Sequence, residues 1–473
     1  MLIMQGYHTN SSSAHSIMIT KDLSHAEKLT WEDIVRDIEY SKDVYFGSKY
    51  FELWDVDTKG FYMLGQLYNY NDLYNFLKEK LIKKGYRYVV EQFEKLDDPW
   101  IVDHQSKIDW RIVKFSKDLI YNIVFSDYFV IRGGSDSYYD PPLYTTKVYV
   151  YLDNIEYSSK IDIKSYGYVL HTSDQIIVIP KYEILEKSKS IYFRDWILEA
   201  IKDQNVIDPP LIVDLKITDY CTYGCKFCYQ GSNRNGKHAD IKTIYDIIDV
   251  LSENDVVQIA IGGGDPLEHP NIIEICDYIS SKGMVPNIST RNYDSALSLI
   301  EYISGGIGIS ISSYKEYQDF MNKFTLVSNL SGNDKYIYTS KIKLHLIPEL
   351  MDQDELYDIL SKDNKFDILL LGYKPPKNFN IQPKKINIKE IFNTISSNFN
   401  YVEIDTQLYR RYSEELSEVE YVKNAFSIEG VISKYVNAVD RFVSPSSYET
   451  YIKEYFYDKD SLAKALRKKM ITM

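Results

Sequence analysis

Cys221-Thr222-Tyr223-Gly224-Cys225-Lys226-Phe227-Cys228-Tyr229 is the stretch that decides how this chain is read. It holds three of the chain's four cysteines, at a Cys-x3-Cys-x2-Cys spacing, directly after a strand-like run at 211–217. Chance does not cluster a rare residue in this way. Thiolates this close can converge on one metal centre, and iron–sulfur clusters are held by such thiolates. A cubane has four iron corners, so three cysteines leave one iron open, and an open Lewis-acidic iron invites a small chelating ligand. Two other readings stand beside this one. A disulfide pair fits poorly in a cysteine-poor chain whose first residues carry no basic region and apolar core of a secretory signal. A zinc site with His238 as fourth ligand is possible, although tight structural zinc sites usually draw on two close pairs of ligands.

Working outward, the next signal is Val256-Val-Gln-Ile-Ala-Ile-Gly262-Gly263-Gly264-Asp265-Pro266-Leu267-Glu268-His269-Pro270. It reads as a strand ending in a glycine-rich turn, with a helix beginning near Asn271. Glycines let the backbone approach a ligand closely, and carbonyls together with Asp265 can accept hydrogen bonds from an ammonium group. Taken alone this is an ordinary glycine turn.

The two signals together resemble the radical SAM superfamily. The resemblance implies that Cys221, Cys225 and Cys228 hold a [4Fe-4S] cluster whose open iron binds the amino and carboxylate groups of S-adenosylmethionine. It further implies an external electron donor, flavodoxin- or ferredoxin-like. An electron from the reduced cluster then cleaves the sulfonium to methionine and a 5′-deoxyadenosyl radical. Residues 262–266 are similar to the family's Gly-Gly-Glu-Pro motif, which holds the cofactor's amino group. Here Asp265 replaces the usual Glu and shortens the arm by one methylene, so a carbonyl of the glycine run is expected to do more of the binding. Phe227 resembles the family's aromatic before the last cysteine.

At 473 residues the length suggests about three domains. The formal charge of −13 disfavours non-specific binding to nucleic acid or anionic membrane. No run of about twenty apolar residues appears, so no transmembrane helix is expected. The expected compartment is the cytoplasm, where a reduced, oxygen-sensitive cluster survives.

Residues 1–208 read as a separate α+β domain. A helix starts from a cap at Asn71 or Asp72 and runs to Gly85, with Leu73, Phe76, Leu77 and Leu81 as its apolar face. Strand-like runs fall at 16–20, 121–125, 128–132, 147–152, 166–171 and 175–180, and a helix at 191–202. His8, His15 and Ser11–Ser13 suggest a solvated loop, since a catalytic pair there lacks an orienting third group. From 209 to 397 strands and helices alternate. Strands are expected at 211–217, 256–261, 285–289, 307–312, 341–347 and 366–371. The helices between and after them are at 241–251, 271–281, 293–303, 315–324, 353–360 and 388–395. Six βα units predict an α/β fold with a parallel sheet, curled as a partial (β/α)6 TIM-type barrel. The family's core has this count. Residues 398–473 read as a short C-terminal α/β extension: a strand at 402–406, a hairpin over 429–443, and an amphipathic helix over 448–469.

Such barrels carry their sites where strands end and helices begin. The cysteine loop and the glycine turn therefore fall on one face. By resemblance Ser289, Thr290 and Arg291, and likewise Ser310 and Ser312, meet the ribose and carboxylate of the cofactor. The two serines at 310 and 312 fit a hydrogen-bonded core equally well. His345 and Glu349 bracket the fifth strand end, where either is placed to touch substrate. Leu371-Gly372-Tyr373 ends the sixth, where the family packs adenine against backbone. Cys276, among isoleucines on a helix face, reads as inert core. Val443-Ser444-Pro445-Ser446-Ser447 resembles the end of auxiliary-cluster domains, where Pro precedes a cysteine; Ser446 stands there instead, and no second cluster is expected. The Cys-x-Phe-Cys-Tyr and Gly-Asp-Pro-Leu-x-His-Pro wording looks closest to the peptide- and protein-modifying branch. A ribosomal peptide or protein is therefore the expected substrate. The alternatives are a nucleotide or nucleic acid as substrate, and a non-enzyme that binds cluster and cofactor for sensing. The N-terminal domain is expected to recognise the substrate, with Trp54, Trp100, Trp110 and Trp196 among its candidate anchors.

Overall fold

The computed structural model describes residues 2–5, 19–20, 27–28, 30–41, 51–53, 55–96, 116–125, 131–133, 147–148, 160–163, 167–171, 175–180, 198, 200–330, 341–362, 366–376, 381–398, 401–416 and 429–471. The chain divides into two compact units, Met1–Ile3 with Leu23–Lys202, and Met4–Asp22 with Asp203–Met473. The four tryptophans named above, the His8–His15 segment and most of the helix expected at 191–202 lie outside the described residues.

In the first unit the helix Val56–Leu67 packs on Asn71–Lys83, Arg87–Phe93 and Ser116–Phe125. Phe61 from the first of these meets Phe93 edge-on at 5.5 Å. The run 121–125, expected as a strand, is the last turn and a half of a helix. Ile123 and Val124 favour a strand locally, but the helix begun at Ser116 overrides that preference. Taken from Ser116, the buried Ile120, Tyr121, Ile123 and Val124 form one face, and Asn122 bonds back to the Asp118 carbonyl at 2.7 Å. Strands at Ile131–Gly133, Lys147–Val148, Gly167–His171 and Gln175–Pro180 fall on the remaining expected runs.

The second unit is built on parallel strands, each followed by a helix. In chain order these are β1 Ile212–Thr218, α1 Ile241–Glu253, β2 Gln258–Gly263, α2 Ile272–Ser281, β3 Val285–Thr290, α3 Tyr293–Leu299, β4 Ile307–Ile311, α4 Tyr314–Leu330, β5 Ile342–Leu346, α5 Gln353–Lys362, β6 Asp367–Leu370 and α6 Ile388–Asn398. Strands β1 to β6 neighbour one another in sequence order, all in parallel. The sheet goes on past both ends of this set. Beyond β6 lies a seventh parallel strand, β7 Tyr401–Ile404, and beside it Ile19–Thr20 runs antiparallel. On the other side of β1 lies β8 Ser433–Asn437, again parallel, hairpinned to β9 Phe442–Ser444. Among the described residues the two ends of the sheet do not pair, in keeping with a partial barrel.

Alternation along the strands sorts the residues. Val213, Leu215 and Ile217 join Ile244, Ile247, Ile248 and Leu251 of α1 in the main apolar core. Each such side chain contributes roughly 1.5–3 kcal/mol on burial. Asp214, Lys216 and Thr218 take the opposite face, which is polar; Lys343 and Glu403 are both buried and pair at 2.5 Å.

The C-terminal helix is shorter than the expected 448–469. It spans Lys459–Arg467, opened by a capping box in which Asp458 accepts from the Ser461 N–H at 2.8 Å. The residues before it cannot continue the helix, because Glu454–Tyr455 pairs as an edge strand with β9. Lys434 of β8, buried, donates to the Leu466 and Lys468 carbonyls at 2.6 and 2.5 Å, tying the end of that helix to the sheet.

Candidate active site

The loop after β1 carries the three cysteines, and its backbone is held from both sides. The Asp219 N–H donates to the Lys237 carbonyl at 2.8 Å and the Cys221 N–H to Asn233 at 3.1 Å. Two tight turns follow, Cys228 N–H to Cys225 carbonyl and Gly231 N–H to Cys228 carbonyl, both 3.1 Å. Gly224 and Gly231 sit at φ +61° and +68°, the left-handed region that lets the loop double back. The three thiols are half-buried.

The glycine turn after β2 docks directly on this loop. The Gly264 N–H donates to the Thr218 carbonyl at 2.7 Å and the Asp265 N–H to Tyr220 at 3.0 Å. A Cβ on Gly263, at φ +127°, would lie 2.2 Å from the Thr218 oxygen, and one on Gly264 would lie 1.9 Å from the Tyr220 oxygen. These two glycines are required by the neighbouring loop rather than by a ligand. Gly262 has open space before it. Asp265 is 2% exposed, and its carboxylate accepts from Thr290 Oγ1 at 2.8 and 2.7 Å and from the Leu267 N–H at 3.1 Å. Burial raises its pKa, and these donors oppose the rise.

One pocket gathers the candidates. Cys221, Cys225, Phe227, Cys228, Gly262, Gly263, Gly264, Asp265, Ser289, Arg291, Ser310, Leu371 and Gly372 all line it, with Thr290 and Tyr373. Arg291 is aimed by three contacts: Ser312 at 2.9 Å, Glu316 at 2.5 Å, and the Phe227 ring, 5.5 Å from its guanidinium carbon. The Ser289 hydroxyl is buried with no hydrogen-bond partner among the described residues. Ser312 is spent on Arg291 and Glu316 and does not line the pocket. His345 and Glu349 do not line it either. The His345 ring fills the space over Gly308, where a Cβ would lie 2.0 Å from it. Glu349 is fully buried and binds Arg411 and the Tyr373 N–H, the latter at 2.7 Å.

The pocket also holds residues with no signal in the sequence. Lys374, just past β6, is held 3.3 Å from Asp405 and 5.4 Å over the Tyr229 ring. Burial works against its charge, but Asp405, Tyr229 and Glu429 more than restore it, so its pKa is raised. Asp405 also accepts from the Gly372 N–H at 2.7 Å, so a residue of the seventh strand's end fixes the sixth strand's wall. Tyr229 is joined to Ser447 by a 2.6 Å hydroxyl contact, which brings the C-terminal hairpin to the pocket.

Residues 215–327 match the family model described as Radical SAM superfamily. The chain carries a radical SAM domain. A curated relative, an uncharacterized protein of Methanocaldococcus jannaschii, is 33% identical over 119 residues, 23% of this chain; the match spans 41% of that protein's length. Among solved structures, Streptococcus suis SuiB bound to S-adenosylmethionine matches at 13% identity and TM-score 0.42, over 60% of this chain and 80% of its own. The anSMEcpe structure with bound AdoMet matches at 13% identity and TM-score 0.38, over 54% and 81%.

The radical SAM family's cofactors are a [4Fe-4S] cluster and S-adenosylmethionine, and the residues here fit them. Among the described residues no group of three His, Cys, Asp or Glu is arranged to hold a single metal ion. A zinc ion needs its donors within about 2.3 Å of one point. The three thiols line one pocket, and thiolates are the ligands an iron–sulfur cluster takes. His238, the zinc alternative's fourth ligand, does not line this pocket; its Nδ1 bonds Thr218 Oγ1 at 2.9 Å. Burial pushes the Cys221 and Cys225 thiols up, Arg291 partly offsetting it at Cys225; iron ligation would override this by holding them as thiolates. Cys276 is buried in the apolar core, which pushes its thiol up to about 12. Ser446 is also buried, and its hydroxyl accepts the Glu449 N–H at 3.1 Å. Among the described residues no helix is long and apolar enough to cross a membrane.

Proposed function

We propose that this protein is a radical SAM enzyme that abstracts hydrogen from a ribosomal peptide or protein. The observation that carries the reading is the convergence, inside the matched domain, of three thiols, the open face of Gly262 and the Ser289 hydroxyl, which has no partner among the described residues, on one pocket. Cys221, Cys225 and Cys228 hold the cluster. With S-adenosylmethionine bound and an electron from an external flavodoxin- or ferredoxin-like donor, the cluster would supply the one electron that cleaves the cofactor's sulfonium. This chain's residues position the cofactor. The Gly262 carbonyl side and the remaining acceptor capacity of Asp265 receive its ammonium, Ser289 and Ser310 its ribose, and Arg291 its carboxylate. Leu371 and Gly372 pack its adenine. Phe227 keeps Arg291 in place and screens the cluster from water. The peptide assignment rests on the wording of the two motifs, and the cytoplasm is the fitting compartment for such a cluster.

Reduced, cluster-loaded protein should make 5′-deoxyadenosine and methionine slowly without substrate. No deoxyadenosine with reductant in excess would remove the enzyme reading. Ser289→Ala should bind S-adenosylmethionine about fivefold more weakly at unchanged iron content, the worth of one hydrogen bond of about 1 kcal/mol.

The first unit is assigned to substrate recognition, because a reactive radical must form only where its target is already placed. Deleting 23–202 while keeping 4–22 preserves the Ile19–Thr20 pairing with β7. Such a chain should keep its cluster and its uncoupled cofactor cleavage but lose modification of the substrate. Undiminished product formation would refute the assignment.

A further inference from the structure

The cysteine loop and the glycine turn touch through backbone, but one side chain also joins them. Glu268 closes the short 3-10 turn Pro266–Glu268. Its Oε2 accepts the Thr222 N–H at 2.9 Å, and its Oε1 accepts the Thr222 hydroxyl. Thr222 directly follows Cys221 and stands three residues before Cys225. Both oxygens of one carboxylate are thus spent on a single residue between two cluster ligands.

The arm that reaches across is rigid. The Glu268 N–H donates to the Asp265 carbonyl at 3.0 Å, the His269 N–H to Pro266 at 3.1 Å, and Asp265 itself is fastened to Thr290. A two-point, charge-assisted hold from a fixed turn fixes both position and orientation of what it holds. Cys221 is held on its other side by its N–H bond to Asn233. Without Glu268, the segment from Thr222 to Gly224 has no comparable side-chain tether among the described hydrogen bonds. The tether also brings a negative charge to the loop. Cluster potentials follow net charge and nearby hydrogen bonds, and a fixed anion disfavours adding an electron.

Resting on the radical SAM reading, we propose that Glu268 is a positioning residue for the cluster: it fixes the Cys221–Cys225 half of the loop through Thr222 and holds the cluster's reduction potential down. The test uses the full chain, loaded anaerobically with iron and sulfide. It reads iron content, cluster survival against a chelator, and the midpoint potential followed by electron paramagnetic resonance. Glu268→Gln keeps an acceptor for the Thr222 N–H and drops the charge. It should retain the cluster and shift the potential to more positive values. Glu268→Ala should lose cluster retention by roughly tenfold, the effect usual for losing a partner that orients a metal ligand. Thr222→Val, which exchanges the hydroxyl for a methyl and keeps the N–H, should fall between wild type and Glu268→Ala in retention, with the fold monitored by circular dichroism. The proposal is overturned if Glu268→Ala survives the chelator like wild type, or if Glu268→Gln keeps the wild-type potential. A wild-type chain that takes up no cluster overturns both this proposal and the reading beneath it. A loaded wild type with an indifferent Glu268→Ala overturns this one alone.

Discussion

Replacing Cys221, Cys225 and Cys228 together by alanine is expected to abolish iron binding, while Cys276→Ala leaves it at about four irons per chain. The contrast rests on where the thiols stand. The first three line one pocket at the ends of β1 and β2, half-exposed and reachable by iron and sulfide. Cys276 is 1% exposed in the apolar core beside Ile272, Ile275 and Ile279, where a cluster could not be accommodated without opening α2 from the sheet. Its replacement by alanine removes one buried sulfur and should cost only about 1 kcal/mol in stability. Iron and sulfide analysis with the visible absorption of the loaded protein checks both arms. Residual cluster in the triple variant would mean a second site and would contradict the single-cluster reading.

The fold of the second unit was legible because its signals are local. Each strand of the barrel is a short β-branched run, each helix has an apolar face at helical spacing, and turns separate them. What lay beyond the local pattern was the extent of the sheet. Tyr401–Ile404 and Ser433–Asn437 are recognisable as strands, but nothing local says that the first extends the parallel set past β6 or that the second pairs beside β1. Such pairings are long-range choices, fixed by packing rather than by propensity. Similarly, the run 121–125 has strand-like composition but sits in a helix whose apolar face is completed by residues nearer Ser116.

The site was legible to the same depth. Residues inside the two motifs, or at strand ends opposite them, reach one pocket. A residue whose role depends on a distant partner carries no such local signal. Glu349 looked available for substrate, yet Arg411 and the Tyr373 N–H claim it from parts of the chain with no sequence link to it. His345 looked available too, but Gly308 exists without a side chain to make room for its ring. Lys374 carried no signal, because its place on the pocket wall depends on Asp405 of another strand end.

The glycine run separates these two kinds of residue most sharply, since three adjacent glycines have different reasons to be glycine. Gly264→Ala would drive a Cβ to 1.9 Å from the Tyr220 carbonyl oxygen, next to Cys221, and backbone cannot move aside as a side chain can. Relief requires breaking the Gly264–Thr218 and Asp265–Tyr220 hydrogen bonds. At about 1 kcal/mol each, plus about 1–3 kcal/mol for the overpacked contact, the loss is roughly 3–5 kcal/mol. Gly263→Ala meets the Thr218 oxygen at 2.2 Å and adds the strain of φ +127°. Both variants should therefore lower the melting temperature and lose the cluster, because the loop that presents Cys221 can no longer dock. Gly262→Ala has nothing within 4 Å of its new methyl. It should keep its stability and iron yet bind S-adenosylmethionine more weakly, since the methyl enters the cofactor's side of the pocket. Melting curves, iron content and cofactor titration of the three variants make the comparison. Equal iron loading in Gly264→Ala and wild type would show that the turn and the cysteine loop are not mechanically joined.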